Sequence, residues 1–139
     1  MPTTGVINTA NLIFYVGATP VAITCQTDAS LTVTNATRST SCKGSGQWTE
    51  ALYGQTTWEG SGTALASYDG TFNISELLAL AIARTVSPVV FGTGVSGDDK
   101  MSGSVIWTSM AISSAGLNEN VTIQYSFTGT GALTLAPYA

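Results

Sequence analysis

Val121-Thr122-Ile123-Gln124-Tyr125-Ser126-Phe127-Thr128 places four apolar side chains on one parity and three hydroxyls with one amide on the other. Successive side chains of a strand point to opposite faces, so the stretch reads as a β-strand with one buried face and one hydroxyl-rich face. Outward from it the same grammar recurs. Asn11 to Val16 and Pro20 to Gln26 read as a hairpin across Gly17-Ala18-Thr19, and Ser30 to Asn35 as a short strand whose apolar residues are Leu31 and Val33. Thr56 to Ser67 resumes strand character, with Gly60 and Gly62 marking a bend or the close approach of another backbone. Pro88 to Phe91 and Met101 to Ser113 complete the set, joined by a loop through Asp98-Asp99-Lys100.

One helix interrupts the strands. Ile74, Leu77, Leu78, Ala81 and Ile82 fall at i, i+3, i+4, i+7 and i+8, an apolar stripe on a helix of about residues 74–84. Asn73 with Glu76 makes a capping-box pair at its start, and Pro88 lies beyond its end. Between residues 36 and 55 the alternation dissolves into Arg38-Ser-Thr-Ser-Cys-Lys-Gly-Ser-Gly-Gln47, a stretch read as a loop too long for an ordinary connection and therefore functional. Residues 1–139 form one domain of this size. The expected fold class is mainly β: a β-sandwich or partly open barrel with one flanking helix.

Charge is scarce: 9% of 139 residues, where a soluble domain usually carries about a quarter. Such a surface suits a subunit that its neighbours cover. The net charge of −4, with four scattered basic residues, Arg38, Lys43, Arg84 and Lys100, opposes a grip on nucleic acid phosphates or an anionic membrane. The start Met1-Pro2-Thr3-Thr4-Gly5 has no signal-peptide pattern and no apolar run reaches a membrane span, so cytosolic synthesis is expected. Cys25 and Cys42 fit no CxxC arrangement and are read as reduced thiols.

The absence of histidine removes the Ser-His-acid triad, the Cys-His pair and every His-dependent metal site, and no pair among the eight acids stands out for glycosidase work. Asp98-Asp99 reads as a solvated turn rather than a cation loop. Gly92-Thr-Gly94-Val-Ser-Gly97 matches a dinucleotide fingerprint but runs into two acids and a strand instead of a helix N-terminus, so it reads as a connection. No catalytic residue, cofactor or metal is expected. The sequons at Asn35, Asn73 and Asn120 carry little weight in a chain so rich in Ser and Thr. Trp107 is expected in the core, and Trp48 and Trp58 as anchors of the long loop.

Three segments carry a family resemblance. Asn11 to Val16 resembles the opening apolar strand of the major tail-tube proteins of long-tailed, lactococcal-type bacteriophages. Val33 to Gly54 is similar to that family's strand and Thr-Ser-Lys loop, followed by a Gly-x-Trp step, an acid and a Gly. Tyr125 to Thr134 is similar to its last strand and Gly-x-Gly-x-Leu tail. The likeness in order and spacing covers roughly residues 8–135; Cys42 departs from it where a small or polar residue is expected.

The resemblance implies hexameric rings whose strands close an inner β-barrel, stacked into a conduit for double-stranded DNA that passes without specific binding. Carried onto this chain, 36–55 becomes the inter-ring arm, with Arg38, Lys43 and Glu50 as polar contacts and Trp48 as an apolar anchor. It also implies tape-measure, tail-terminator and tail-tip partners and a place in a virion tail assembled in the host bacterial cytoplasm. The competing expectation is a carbohydrate-binding or adhesin-type β module using Trp48 or Trp58.

Overall fold

The computed structural model describes residues 4–7, 11–17, 19, 21–23, 26–68, 74–114 and 116–138. Its strands are β1 (Ile13–Val16), β2 (Val21–Ala22), β3 (Gln26–Ser39), β4 (Ala51–Leu65), β5 (Ser87–Gly92), β6 (Asp99–Ser113) and β7 (Thr122–Pro137), with one helix, α1 (Ile74–Ala83). They form a single seven-stranded sheet in the order β2-β1-β5-β6-β7-β4-β3. Every adjacent pair is antiparallel.

The connectivity curls this sheet. Laid flat, seven strands would separate β2 from β3 by about 29 Å, six spacings of roughly 4.8 Å. Yet Ala22, the end of β2, and Gln26, the start of β3, are consecutive in element order, and four residue steps reach at most about 14 Å. The two edges must therefore approach each other, and the expected partly open barrel is the result.

Gln26 fastens the seam. Its Oε1 accepts from the Phe14 N–H at 3.1 Å and from the Tyr125 hydroxyl at 3.3 Å. Its Nε2 donates to the Phe14 carbonyl at 2.9 Å and to the Ile23 carbonyl at 3.1 Å. One amide thus replaces a missing backbone partner along β1, as buried polar backbone requires.

Inside the curl lie Phe14, Val16, Trp58, Val89, Val105, Ile123, Tyr125 and Phe127, with Ile74 and Leu77 of α1 against them. Phe127 meets Phe14 edge-on at 5.2 Å and Trp107 at 5.4 Å between ring centroids. The inward parity of β4 is Trp58, Gly60, Gly62 and Ala64, facing Phe127 at Gly60 and Tyr125 at Gly62. A methyl group at either glycine would run into those rings. The glycines make room for aromatic rings that cross the strand, which is the close approach their spacing suggested.

Several expectations change. Both ends of the supposed loop are strand: β3 and β4 stay paired as far as Ser39 opposite Ala51, which shortens the loop to a tip at 40–50. Alternation failed as a signal there because neither face of the hairpin is buried. Trp58 is no loop anchor; it is 4% exposed, and its Nε1 donates to the Gly131 carbonyl at 3.1 Å. Trp107 is only partly buried, packed against the core. Ile82 is 80% exposed, and Leu80 takes the contact with the core. The second strand of the first hairpin ends at Ala22, since Gln26 has already crossed to the other edge. The expected helix cap at Asn73, and Pro20 and Cys25, lie outside the described residues.

Replacing Gln26 by Ala leaves the Phe14 N–H without its partner and should lower stability by about 1–3 kcal/mol. The urea midpoint reports this; an unchanged midpoint would contradict the seam. Burial, followed by the nearby Asp28 carboxylate, pushes the Tyr125 phenol well above its ordinary range. Its folded form keeps the proton after unfolded phenols begin to lose theirs, so this contribution is complete below about pH 10 and declines as pH rises beyond it. Tyr125→Phe should flatten the fall of melting temperature across about pH 9 to 11, and an unaltered slope would exclude Tyr125 as its source.

Candidate functional site

The outward parity of the sheet is a mostly polar wall. On β7 it consists of Thr122, Gln124, Ser126 and Thr128; opposite them on β4 stand Leu65, Thr63, Ser61 and Glu59. Beyond β4 come Asp28, Ser30 and Thr32 on β3, opposite Thr63, Ser61 and Glu59. On the other side of β7, β6 contributes Ser113, Ala111, Ser109 and Ile106.

Two carboxylates, Asp28 and Glu59, lie in this curtain, and the four strand segments contain no Lys or Arg. A depression of about 220 Å³ opens on it, lined by Asp28, Ser61, Gly62, Thr63, Ser109, Ala111, Gln124, Tyr125 and Ser126.

The hydroxyls bond one another across strands. Ser30 Oγ lies 3.1 Å from Ser61 Oγ, and Thr108 Oγ1 lies 3.2 Å from Ser126 Oγ. Thr27 Oγ1 donates to the Thr63 carbonyl at 3.2 Å. Each of these bonds ties up one hydroxyl donor within the wall. With two negative charges and no positive one, the surface has no counterion for phosphate.

Below this curtain the sheet forks. β4 pairs with β7 only from Glu59 upward, whereas β7 continues along β6 to Pro137. Trp58 fills the fork: its indole occupies the space that a side chain at Gly129 would need, and its far edge crosses Gly103. Past it, β3 and β4 leave the body as a two-stranded arm.

Thr32 to Gly44 and Gly46 to Tyr53 are exposed throughout. The tip is closed by the Glu50 N–H donating to Ser41 Oγ at 2.6 Å and by the Thr40 N–H donating to the Glu50 carbonyl at 2.9 Å.

All four residues expected to act in the arm are on it and exposed. Arg38 sits opposite Leu52 in the hairpin, and Lys43 begins the 3₁₀ turn Lys43–Ser45. Trp48 is 75% exposed, with Tyr53 and Leu52 as further large apolar groups. Glu50 serves the tip through its backbone.

The wall on β3 and β4 was not singled out from sequence, although Thr57, Glu59, Ser61 and Thr63 alternate with Trp58, Gly60, Gly62 and Ala64. Glycine on the buried parity hid a signal that was present.

The glycine-rich segment after β5 is a clasp for the end of the chain. The Gly97 N–H donates to the Tyr138 carbonyl and the Tyr138 N–H to the Asp98 carbonyl, at 3.2 and 2.8 Å. Gly92 accommodates the Tyr138 ring, and Gly94 adopts a φ of +76° beside the Tyr15 hydroxyl. Among the described residues no group of three or more His, Cys, Asp or Glu side chains is arranged to hold a metal. Burial of Trp58 removes one of the two rings available for stacking on a sugar.

No protein-family model and no curated protein sequence matches the chain. Solved structures do. The tail of an empty gene transfer agent particle, with C6 symmetry, aligns with a TM-score of 0.79 at 17% identity, over 94% of this chain and 99% of its counterpart. The SPP1 tail tube aligns with a TM-score of 0.70 at 12% identity, over 94% and 79%. The sheath–tube complex of an extracellular contractile injection system aligns with a TM-score of 0.70 at 12% identity, over 94% and 91%. The fold is the one found in these tail and tube assemblies.

Gly129→Ala forces Trp58 from the fork and should cost about 1–3 kcal/mol, as overpacking does. Thermal unfolding measures it; a stable, unshifted variant would contradict the wedge.

Proposed function

We propose that the chain is a structural tail-tube subunit, forming hexameric rings that stack into a conduit for double-stranded DNA. The observation that carries this reading is the near end-to-end fold match to a chain of a six-fold tail, over 94% of this chain and 99% of that one.

The wall supplies a physical route to a ring. Among the described residues, β6 pairs with β5 only as far as Val105, so Ile106 to Ser113 has a free edge, and the outer edge of β3 is free as well. Between those edges lie four antiparallel strands, β6-β7-β4-β3. An even count makes β3 of one copy antiparallel to β6 of the next when both stand the same way up. A head-to-tail contact of this kind repeats around a ring and closes it. Closure also removes edges that would otherwise invite aggregation.

In that ring the hydroxyl wall faces the lumen, where uncharged and acidic groups leave DNA phosphate nothing to pair with, so the duplex slides. The arm crosses to the neighbouring ring. Tape-measure, terminator and tail-tip proteins are the remaining partners, in a virion tail assembled in the host bacterial cytoplasm.

Electron microscopy of the purified chain should show six-fold rings or hollow tubes; a strictly monomeric protein at high concentration contradicts the proposal. Deleting Ser39 to Gln47 should leave a folded subunit without long tubes, and wild-type tube length after the deletion would contradict the arm's role. Ser126→Lys in the wall should slow DNA ejection, whereas unchanged kinetics would reject the sliding account.

A further inference from the structure

The arm needs a receptor, and the two ends of the molecule differ in a way that identifies one. From the arm at Ala51 to the opposite end of β4 at Leu65 are fourteen residue steps, or about 46 Å of strand. At that far end the chain leaves β4, and the Ala66 N–H donates to the Val121 carbonyl at 2.8 Å.

This bond brings Ala66 beside the turn that precedes β7. The turn is formed, with the Glu119 N–H donating to the Gly116 carbonyl at 3.0 Å. It presents Leu117 fully to solvent and Val121 at 40% exposure, and Tyr68, two residues beyond Ala66 in the chain, is 81% exposed.

The arm displays matching chemistry. Trp48, Leu52 and Tyr53 are exposed apolar or aromatic groups, and Arg38 and Lys43 are exposed cations on the same hairpin. Residues 36–55 carry a net +1, while the chain as a whole carries −4, leaving −5 on the remainder. Half of the chain's four basic residues therefore stand on the arm. The turn at the other end offers one acid, Glu119, between the exposed apolar residues Leu117 and Val121.

Resting on the ring-stacking reading, we propose that the arm of one copy docks on the 116–121 turn of a second copy in the next ring. Leu117, Val121 and Tyr68 receive the arm's apolar groups, and Glu119 faces Arg38 or Lys43. Stacking rings in one direction brings these opposite ends together without rearranging the subunit. Exposed apolar groups at one end then cover their counterparts at the other, with opposite charges beside them.

The native thiol of Cys42, exposed on the arm, makes the proposal testable. Tubes of the Leu117→Cys variant treated with a short bismaleimide should give a covalent ladder that the unsubstituted chain does not. If Leu117→Cys itself prevents assembly, Asn118→Cys carries the same test. Glu119→Arg should raise the concentration needed for tube growth by about fivefold, and adding either Arg38→Glu or Lys43→Glu should reverse the effect.

Wild-type tubes whose thiol variants give no ladder, or whose growth ignores Glu119→Arg, overturn the receptor and leave the tube reading standing. A wild-type chain that forms neither ring nor tube overturns both.

Discussion

Two strands at opposite edges of a seven-stranded sheet are joined through residues 23–25. Because that link spans about half the width of a flat sheet, the sheet must curl, and the remaining structure follows from the curl. It creates an inside, where Phe14, Tyr125 and Phe127 collect, and an outside that receives the hydroxyl parity of the same strands. Gln26 sits where the link ends and closes the seam with side-chain hydrogen bonds. A short tie in the chain and one amide thus do the work that continuous strand pairing does in a closed barrel.

The curl also explains which edges remain open. β5 stops beside Val105, and β3 has β4 as its only strand partner among the described residues. Four strands between these limits make a curtain whose edges have opposite polarity. Below it, Trp58 enters the fork between β4 and β7, where Gly103 and Gly129 lack the side chains that would exclude it. The body turns one way and the arm is released the other way. Core packing and the departure of the arm are therefore connected through one indole ring.

Where burial alternated, the fold was legible in the sequence. Ile123, Tyr125 and Phe127 announced both β7 and its hydroxyl face, and the stripe containing Ile74 and Leu77 announced α1. Legibility failed where alternation had no buried side to report. The arm strands are exposed on both faces, so a paired hairpin read as a loop, while Gly60 and Gly62 masked a buried parity that aromatic rings from β7 fill. Trp58 was misread because the residues that give it space, Gly103 and Gly129, come from distant strands. The arm residues Arg38, Lys43, Trp48 and Glu50 were located together from sequence, but the wall with Asp28 and Glu59 emerged only from strand register. A scarcity of charge pointed to covered surface; the register indicates which surfaces are available for other copies to cover.

The central claim is that the hydroxyl wall lines a lumen. A six-fold helical reconstruction of assembled tubes at residue resolution tests it most directly. The account predicts Asp28, Glu59, Ser61, Gln124 and Ser126 on the inner surface, with β3 of each subunit antiparallel to β6 of the next. Those side chains on the outer surface of the tube, or buried between rings, would contradict it.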